Sequence, residues 1–152
     1  MATLEWDEVA VRFAAAQNWW VATSGPGGPH SVPVWGVVVD SVLHFYGEPG
    51  AVRSRNLVAD PRLALHLESG SSVLIVHGSV VIGPPAGENA AVSAAYAVKY
   101  TDPTDLDYLP DAEGMAAALL FTVTPTRAIA WTLGDADGMA PRRWAVSGQP
   151  SA

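Results

Sequence analysis

The sequence predicts a mainly β protein, a small antiparallel barrel with peripheral α-helices. Three observations predict it. Six or seven short apolar runs alternate with Gly, Pro, Asn, Asp and Ser clusters, which is hairpin patterning. Only three stretches carry helical spacing, and they lie between or before the strand runs. The chain has 152 residues, 49% of them hydrophobic and 15% charged, which gives one domain with a real core and excludes disorder.

The elements follow in order. Residues 3–17, within an N-terminal segment 1–18, read as an amphipathic helix. Thr3 is its candidate cap, and Trp6, Val9, Ala10, Phe13 and Ala14 recur at helical spacing. Trp19 to Thr23 is a short strand, and the Gly/Pro-rich stretch Ser24 to Pro29 is a turn. His30 to Val39 is a second strand, turned at Asp40-Ser41 into a third, Val42 to Tyr46. After the loop Gly47 to Gly50, a short helix runs from Ala51 to Ala59 and stops at Asp60-Pro61. Leu63 to Glu68 and Val73 to Ile82 form a hairpin, which Gly83-Pro84-Pro85 breaks. Glu88 to Tyr100 is a helix with Ala91, Ala94, Ala95 and Val98 on one side. Thr101 to Gly114, rich in Asp and Pro, is a long mobile loop. Ala117 to Val123 and Ala128 to Leu133 pair as the last strands, Arg142 to Val146 adds a short final one, and the tail over 147–152 is expected to fray.

Charge and composition exclude several classes of partner. A formal net charge of −7 with eight Lys and Arg lacks the basic footprint that nucleic acid or an anionic membrane needs. Local arginines can still hold an anionic small molecule. The absence of cysteine excludes disulfides, thiol redox chemistry and thiolate metal sites. The acidic stretch Met1 to Glu8 is not a signal peptide, and no apolar run reaches the ~20 residues that cross a bilayer. The expected location is the cytoplasm.

Three constellations could carry chemistry. Pro33 stands inside an otherwise good strand, where its missing N–H confines it to an edge or bulge. Such an opening would offer main-chain groups to a planar heterocycle, with Trp35 packed nearby, although an edge strand blunted against aggregation reads the same way. Gly50 precedes a short helix whose N-terminus attracts anions. On it Arg53 and Asn56 share a face, and Arg55 points away. Arg53 could clamp a phosphate there, or the helix could simply be solvated. Pro141-Arg142-Arg143-Trp144 either closes over a ligand or packs Trp144 on the core.

The four histidines, His30, His44, His66 and His77, lie on separate strands without metal-ligand spacing, so no metal site is expected. His77, just before Gly78, is the best of these weak candidates for a chemical role. Ser24, Ser31 and Ser54 show no nucleophile elbow. Gly25, Gly27 and Gly28 lead into a strand, so they form neither a Walker nor a Rossmann fingerprint. Strand two is apolar on both alternating sets, Val32, Val34 and Val38, then Pro33, Trp35, Val37 and Val39. A single barrel covers one face only, so this pattern predicts a homodimer.

With these residues in view, the chain resembles the pyridoxamine 5′-phosphate oxidase-like split-barrel proteins, and more narrowly the flavin/deazaflavin oxidoreductases that use F420 or FMN. The resemblance runs from Trp19 to Trp144. It rests on Trp20-Val21-Ala22-Thr23, Pro29 to Trp35, Arg53-Ser54-Arg55-Asn56-Leu57 with Asp60-Pro61-Arg62, His77-Gly78 and Arg143-Trp144. It implies a six-stranded antiparallel split β-barrel, FMN-binding-like, and a homodimer with two cofactor sites at its interface. The ring would lie beside Ser31, Val32, Pro33, Val34 and Trp35. The phosphate would lie near Arg53, Ser54, Arg55 and Asn56, and Arg143-Trp144 would reach the partner's cofactor.

One departure matters: where related sequences carry a Ser-Thr pair, this chain has Tyr46-Gly47. Two small donors are lost, and the purified protein is then expected empty or weakly loaded. The resulting expectation is hydride transfer between F420, slightly favoured, or FMN and a small organic substrate. The proton would come from His77, Tyr46 or water. The alternatives are a flavin-, deazaflavin- or haem-binding protein without turnover, and a split-barrel dimer that has lost its cofactor.

Overall fold

The computed structural model describes residues 3–134, 136 and 139–147. In chain order the main elements are α1 (Trp6–Ala15), β1 (Trp19–Gly25), β2 (Gly28–Val34), β3 (Gly36–Val39), β4 (Val42–Gly47) and α2 (Val52–Ala59). There follow β5 (Arg62–His66), β6 (Ser72–Pro85), α3 (Ala90–Lys99), β7 (Leu119–Thr132) and β8 (Arg142–Ala145). Of the tail expected to fray, 147–152, all but residue 147 lies outside the described residues.

All the strands join one antiparallel sheet in the order β2-β1-β5-β6-β7-β4-β3, with β8 paired to β7. Its two end strands, β2 and β3, are consecutive in the chain and separated by Trp35 alone. The ends therefore meet, and the sheet curls into a split barrel. Eight strands replace the expected six because strand two breaks at Trp35 and β8 is added. Trp19 explains the break: a Cβ on Gly36 would stand 2.3 Å from its ring. Gly36 instead turns its N–H to the Tyr100 hydroxyl at 2.9 Å, and its carbonyl accepts from the same hydroxyl at 3.1 Å.

Inward residues of the barrel form one core, with Trp19, Phe13, Phe45, Phe121, Leu65 and Val76 fully buried. Burying large side chains of this kind supplies about 1.5–3 kcal/mol each. The β3–β4 turn puts Asp40 at φ 51° and Ser41 at φ 63°, the paired left-handed geometry of a tight hairpin. At His77/Gly78 the β6–β7 ladder bulges, and a Cβ on Gly78 would lie 2.3 Å from the Thr124 carbonyl. That glycine admits a neighbouring backbone.

Several expectations are corrected. The two last strands are one 14-residue strand, β7, which pairs with an equally long β6. Gly83-Pro84-Pro85 still marks the end of β6: pairing with β7 is irregular between Ile82 and Pro85, and the strand stops at Pro85. Thr3 does not cap α1; Glu5 holds the cap position, and the Thr3 hydroxyl donates to the Glu5 carboxylate at 3.1 Å. The apolar side of α3 is Val92, Tyr96 and then Tyr100, at spacings of four, rather than the alanine set with Val98. Residues 101–114 are not a bare loop. Two 3₁₀ turns, Pro103–Tyr108 and Glu113–Met115, organise the segment, and Asp102 accepts from the Thr104 N–H at 2.9 Å.

The premise for a partner surface on strand two also changes. Val37 is 2% exposed, and with Trp35 and Val39 it packs into a second core built on Tyr96, Tyr100 and Leu120. The chain covers that face with its own α3.

β8 is tied to α1. Trp144 lies 4.8 Å from Trp6 with the rings tilted, and Arg142 grips Glu8 with both terminal nitrogens, one at 3.0 Å. That grip holds the Glu8 carboxyl below its ordinary value of 4.5. A carboxyl with a depressed folded-state pKa stabilises above its unfolded value, and this contribution fades as pH falls through the folded one. Glu8→Gln should therefore lose stability at neutral pH and show a smaller loss on acidification below about pH 4.5 than the unaltered chain. Urea unfolding at both pH values reads this; parallel pH profiles would contradict it.

Candidate functional site

The junction of the sheet ends opens a cleft of about 360 Å³. Pro33 and Val34 of β2, Trp35, Tyr46 of β4 and Arg53 of α2 line it, together with Asn18, Tyr108 and Met115. Its volume lies near the low end of small-molecule sites, which span about 300–1,000 Å³. β2 is an end strand of the sheet, so Pro33 stands on an edge, with Trp20 as its cross-strand partner. Trp35 is half-buried and stacks on Tyr100 at 4.4 Å.

Arg53 is the electrostatic centre. Its Nε is buried without a hydrogen-bond partner, and Nη2 makes only a long contact, 3.5 Å, to the Tyr46 carbonyl. Burial lowers its pKa from 12.5. A guanidinium with spare, desolvated donors is a ready partner for a carboxylate or phosphate. It sits in the first turn of α2, whose N-cap residue Ala51 offers no side-chain cap. No acidic residue occupies that turn, so the helix end adds to the attraction for an anion.

Tyr46 closes the opposite wall. Its ring is 8% exposed and meets Tyr96 edge-on at 4.9 Å. Its hydroxyl donates to the Tyr108 carbonyl, which ties the 101–114 segment over the cleft. Burial pushes its pKa up to about 12, against the pull of the Arg53 charge. Gly47 has its own reason. A Cβ there would stand 2.8 Å from Ser54 Oγ and 3.1 Å from Arg53 Nη2, so the glycine makes room for α2 to seat. The Tyr46-Gly47 departure thus builds a latch and a helix seat where hydroxyls were expected.

Tyr46→Phe should therefore free residues 101–114 while the barrel stays folded, a loss of about 1 kcal/mol. Faster limited proteolysis in that segment is the expected result, and an unchanged rate would contradict it. If the cleft takes the expected F420 or FMN, Tyr46→Ser with Gly47→Thr should weaken that binding rather than improve it, because threonine displaces Ser54 and Arg53. Titration with each of the two checks this, and a gain in affinity would contradict it.

The other anticipated residues lie elsewhere. Ser31 is exposed and Val32 half-buried on β2, outside the lining. Ser54 is fully buried with Oγ unpartnered, and Arg55 is exposed. Asn56 donates to Thr23 Oγ1 at 3.0 Å and fills the space above Gly25, so it fastens α2 to β1 rather than facing the cleft. Trp144 packs on Trp6 of α1 in its own chain, and the Arg143 carbonyl accepts from the N–H of Leu4, just before α1, at 3.2 Å. His77 sits on the outer face of β6, between Ala64 and Arg127 in register, away from the cleft lining. Burial and the Arg127 charge lower its pKa.

His44 Nδ1 lies 3.0 Å from Thr122 Oγ1, and His66 Nδ1 lies 2.8 Å from the Leu67 carbonyl. The described residues contain no cluster of three potential metal ligands. None of their helices is long and apolar enough to cross a membrane. Sequence reasoning missed Asn18, Tyr108 and Met115. Leu106, Tyr108, Leu109 and Met115 were the available signal, apolar residues in a tract too polar to need them.

Comparison with known proteins is consistent with this architecture. A search of curated protein sequences finds no match. Among solved structures, the conserved hypothetical protein Rv2991 from Mycobacterium tuberculosis is similar, with 22% identity, 86% of each chain covered and a TM-score of 0.69. A protein described as an F420 reductase shares 22% identity over 77% of this chain and 93% of its own, with a TM-score of 0.56. A heme binding protein from Mycobacterium smegmatis shares 20% identity over 95% of this chain and 60% of its own, with a TM-score of 0.65. At such identities these likenesses establish the fold. The family model described as pyridoxamine 5′-phosphate oxidase matches residues 6–132. The chain therefore belongs to the pyridoxamine 5′-phosphate oxidase family of split-barrel proteins.

Proposed function

We propose that the chain is an oxidoreductase that holds a flavin or deazaflavin, F420 or FMN, in the cleft between β2 and α2. One observation carries this reading: the edge strand at Pro33–Trp35 and Arg53, whose buried Nε is unpaired among the described residues, converge on a single cavity. A ligand with a flat ring and one phosphate matches both ends. Arg53 would bind the phosphate, with the first turn of α2 beside it. Trp35 and the β2 edge would orient the ring, while Tyr46, Tyr108 and Met115 limit access of water. When bound in reduced form, either cofactor supplies a hydride to a small, conjugated acceptor.

Water is the proton source in this reading. The Tyr46 hydroxyl is committed to Tyr108 with a pKa of about 12, and His77 faces the other side of the sheet. F420 is favoured slightly over FMN, on the family subgroup and the similar F420 reductase. Incubation with each reduced cofactor and a panel of conjugated acceptors tests turnover. Cofactor oxidation that depends on acceptor and protein supports it. Tight binding without oxidation favours the second reading, a carrier of flavin, deazaflavin or haem, to which the occupied Tyr46 hydroxyl and the similar heme binding protein lend weight.

We also propose a homodimer, on a surface other than the one strand two suggested. Trp20, His66, Ile75 and Ile129 lie in cross-strand register on the outer face of β1, β5, β6 and β7. A row in which three of four side chains, Trp20, Ile75 and Ile129, are apolar suits a second copy of the chain. Sedimentation at micromolar concentration should give a dimer, and Ile75→Lys should shift it to monomer. A folded monomer of the unaltered chain would overturn this proposal.

A further inference from the structure

A second groove, separate from the cofactor cleft, runs beside the end strand β3 between α1 and α3. Ala14, Val38, Ala94, Val98 and Lys99 line one part, a space of about 380 Å³. It continues past Ala14 and Val38 to Asp7, Asp40 and Ser41. Lys99 is the single lysine of the chain. Its ammonium donates to the Gly36 carbonyl at 2.6 Å and lies 5.3 Å from the ring centroids of both Trp19 and Tyr100. It makes no ion pair among the described residues. Burial lowers its pKa to about 8. A half-buried ammonium that uses one of its donors, at the end of an aliphatic groove, has a place for an anionic headgroup and a lining for an alkyl chain.

We propose that this groove binds a medium-chain aliphatic carboxylate, with its head on Lys99 and its tail over Ala14, Val38 and Val98. The two ends of the groove set the orientation, because Asp7 and Asp40 repel a carboxylate at the far end. They also set the length. From Gly36 to Asp40 the strand advances about 13 Å, so an eight-carbon chain fits and a long-chain one overruns into the acidic end. The aromatic rings beside Lys99 give the head a polarisable surround without a competing negative charge. This binding does not depend on the cofactor assignment, since no lining residue is shared between groove and cleft.

Calorimetric titration of the full chain with octanoate, octanol and octylammonium tests the proposal. Octanoate should saturate one site per chain, bind at least tenfold more tightly than octanol and depend on Lys99, whereas octylammonium, whose head would turn to Asp7 and Asp40, should be unaffected by Lys99→Gln. Lys99→Gln should weaken octanoate at least tenfold, and Lys99→Arg should restore most of that loss. Val98, 80% exposed, tolerates change without loss of fold, so Val98→Asp should weaken octanoate by a comparable factor if Lys99→Gln proves unstable. Equal affinity for octanoate and octanol, no binding by the unaltered chain, or octanoate affinity unchanged in the folded variants would overturn it.

Discussion

Arg53→Ala is expected to weaken the binding of F420 or FMN by about 2–5 kcal/mol, with little loss of fold. The expectation rests on the state of the guanidinium. Among the described residues its Nε is buried and without a hydrogen-bond partner, and its hydrogen bond to the Tyr46 carbonyl is long at 3.5 Å. Folding therefore leaves strong donors pointing where an anion can be received, and truncation removes those donors together with the charge. Little stability should be lost, because the side chain supports nothing else through a hydrogen bond of normal length. Arg62→Ala is the control. Arg62 is exposed and paired to Asp60 at 2.8 Å, outside the cleft. Its removal should leave cofactor affinity unchanged. Equal losses in the two variants would contradict the assignment of Arg53.

Trp19→Ala is expected to cost about 3–5 kcal/mol of stability, the range for truncating a large buried aromatic. Trp19 is fully buried at the point where the sheet ends meet. Its Nε1 donates to the Phe13 carbonyl at 2.8 Å, its ring meets Phe13 edge-on at 5.2 Å, and Gly36 lies against its face. One residue thus fastens α1, β1 and the start of β3. Its loss opens a cavity beside Gly36, the residue after Trp35, so the cleft should loosen along with the barrel. Urea unfolding would show a lowered midpoint with an unchanged slope. A loss below about 1 kcal/mol would mean that the surrounding residues close the gap.

Much of the fold was legible because it rests on local chemistry. The Asp40-Ser41 turn, the stop at Asp60-Pro61 and the period-two strands are set by residues adjacent in sequence. The errors lie where distant partners decide. β7 reads as two strands because Pro125 and the polar residues around it look like a turn, yet a bulge that leaves Thr126 of β7 as an extra residue opposite His77-Gly78 accommodates them. α3 was assigned the wrong face because its alanines are apolar without being large. Tyr96 and Tyr100 bury more surface, and their hydroxyls bond to Trp35 and Gly36. The face of Val37 and Val39 looked uncovered because nothing local shows that a helix some fifty residues later returns to it.

The site divides along the same line. Pro33, Trp35 and Arg53 announced themselves by chemistry unusual for their position, and the fold brings them together with Val34 and Tyr46. Asn56 and Ser54 share the helix of Arg53 but turn to β1 and to Gly47, because an eight-residue helix packed on a barrel presents more than one buried side. The purpose of Gly47 could not be read from sequence, since it depends on the side chains of Arg53 and Ser54 that arrive from the next element.

The central claim is that the cleft between β2 and α2 binds a flavin or deazaflavin. The most direct measurement is titration of the full chain with F420 and with FMN, followed by quenching of tryptophan fluorescence and by the cofactor's own absorption. Saturable binding of at least one of them at one site per chain, weakened in Arg53→Ala and unchanged in Arg62→Ala, is the predicted result. Absence of binding of either cofactor to the unaltered, folded chain would contradict it.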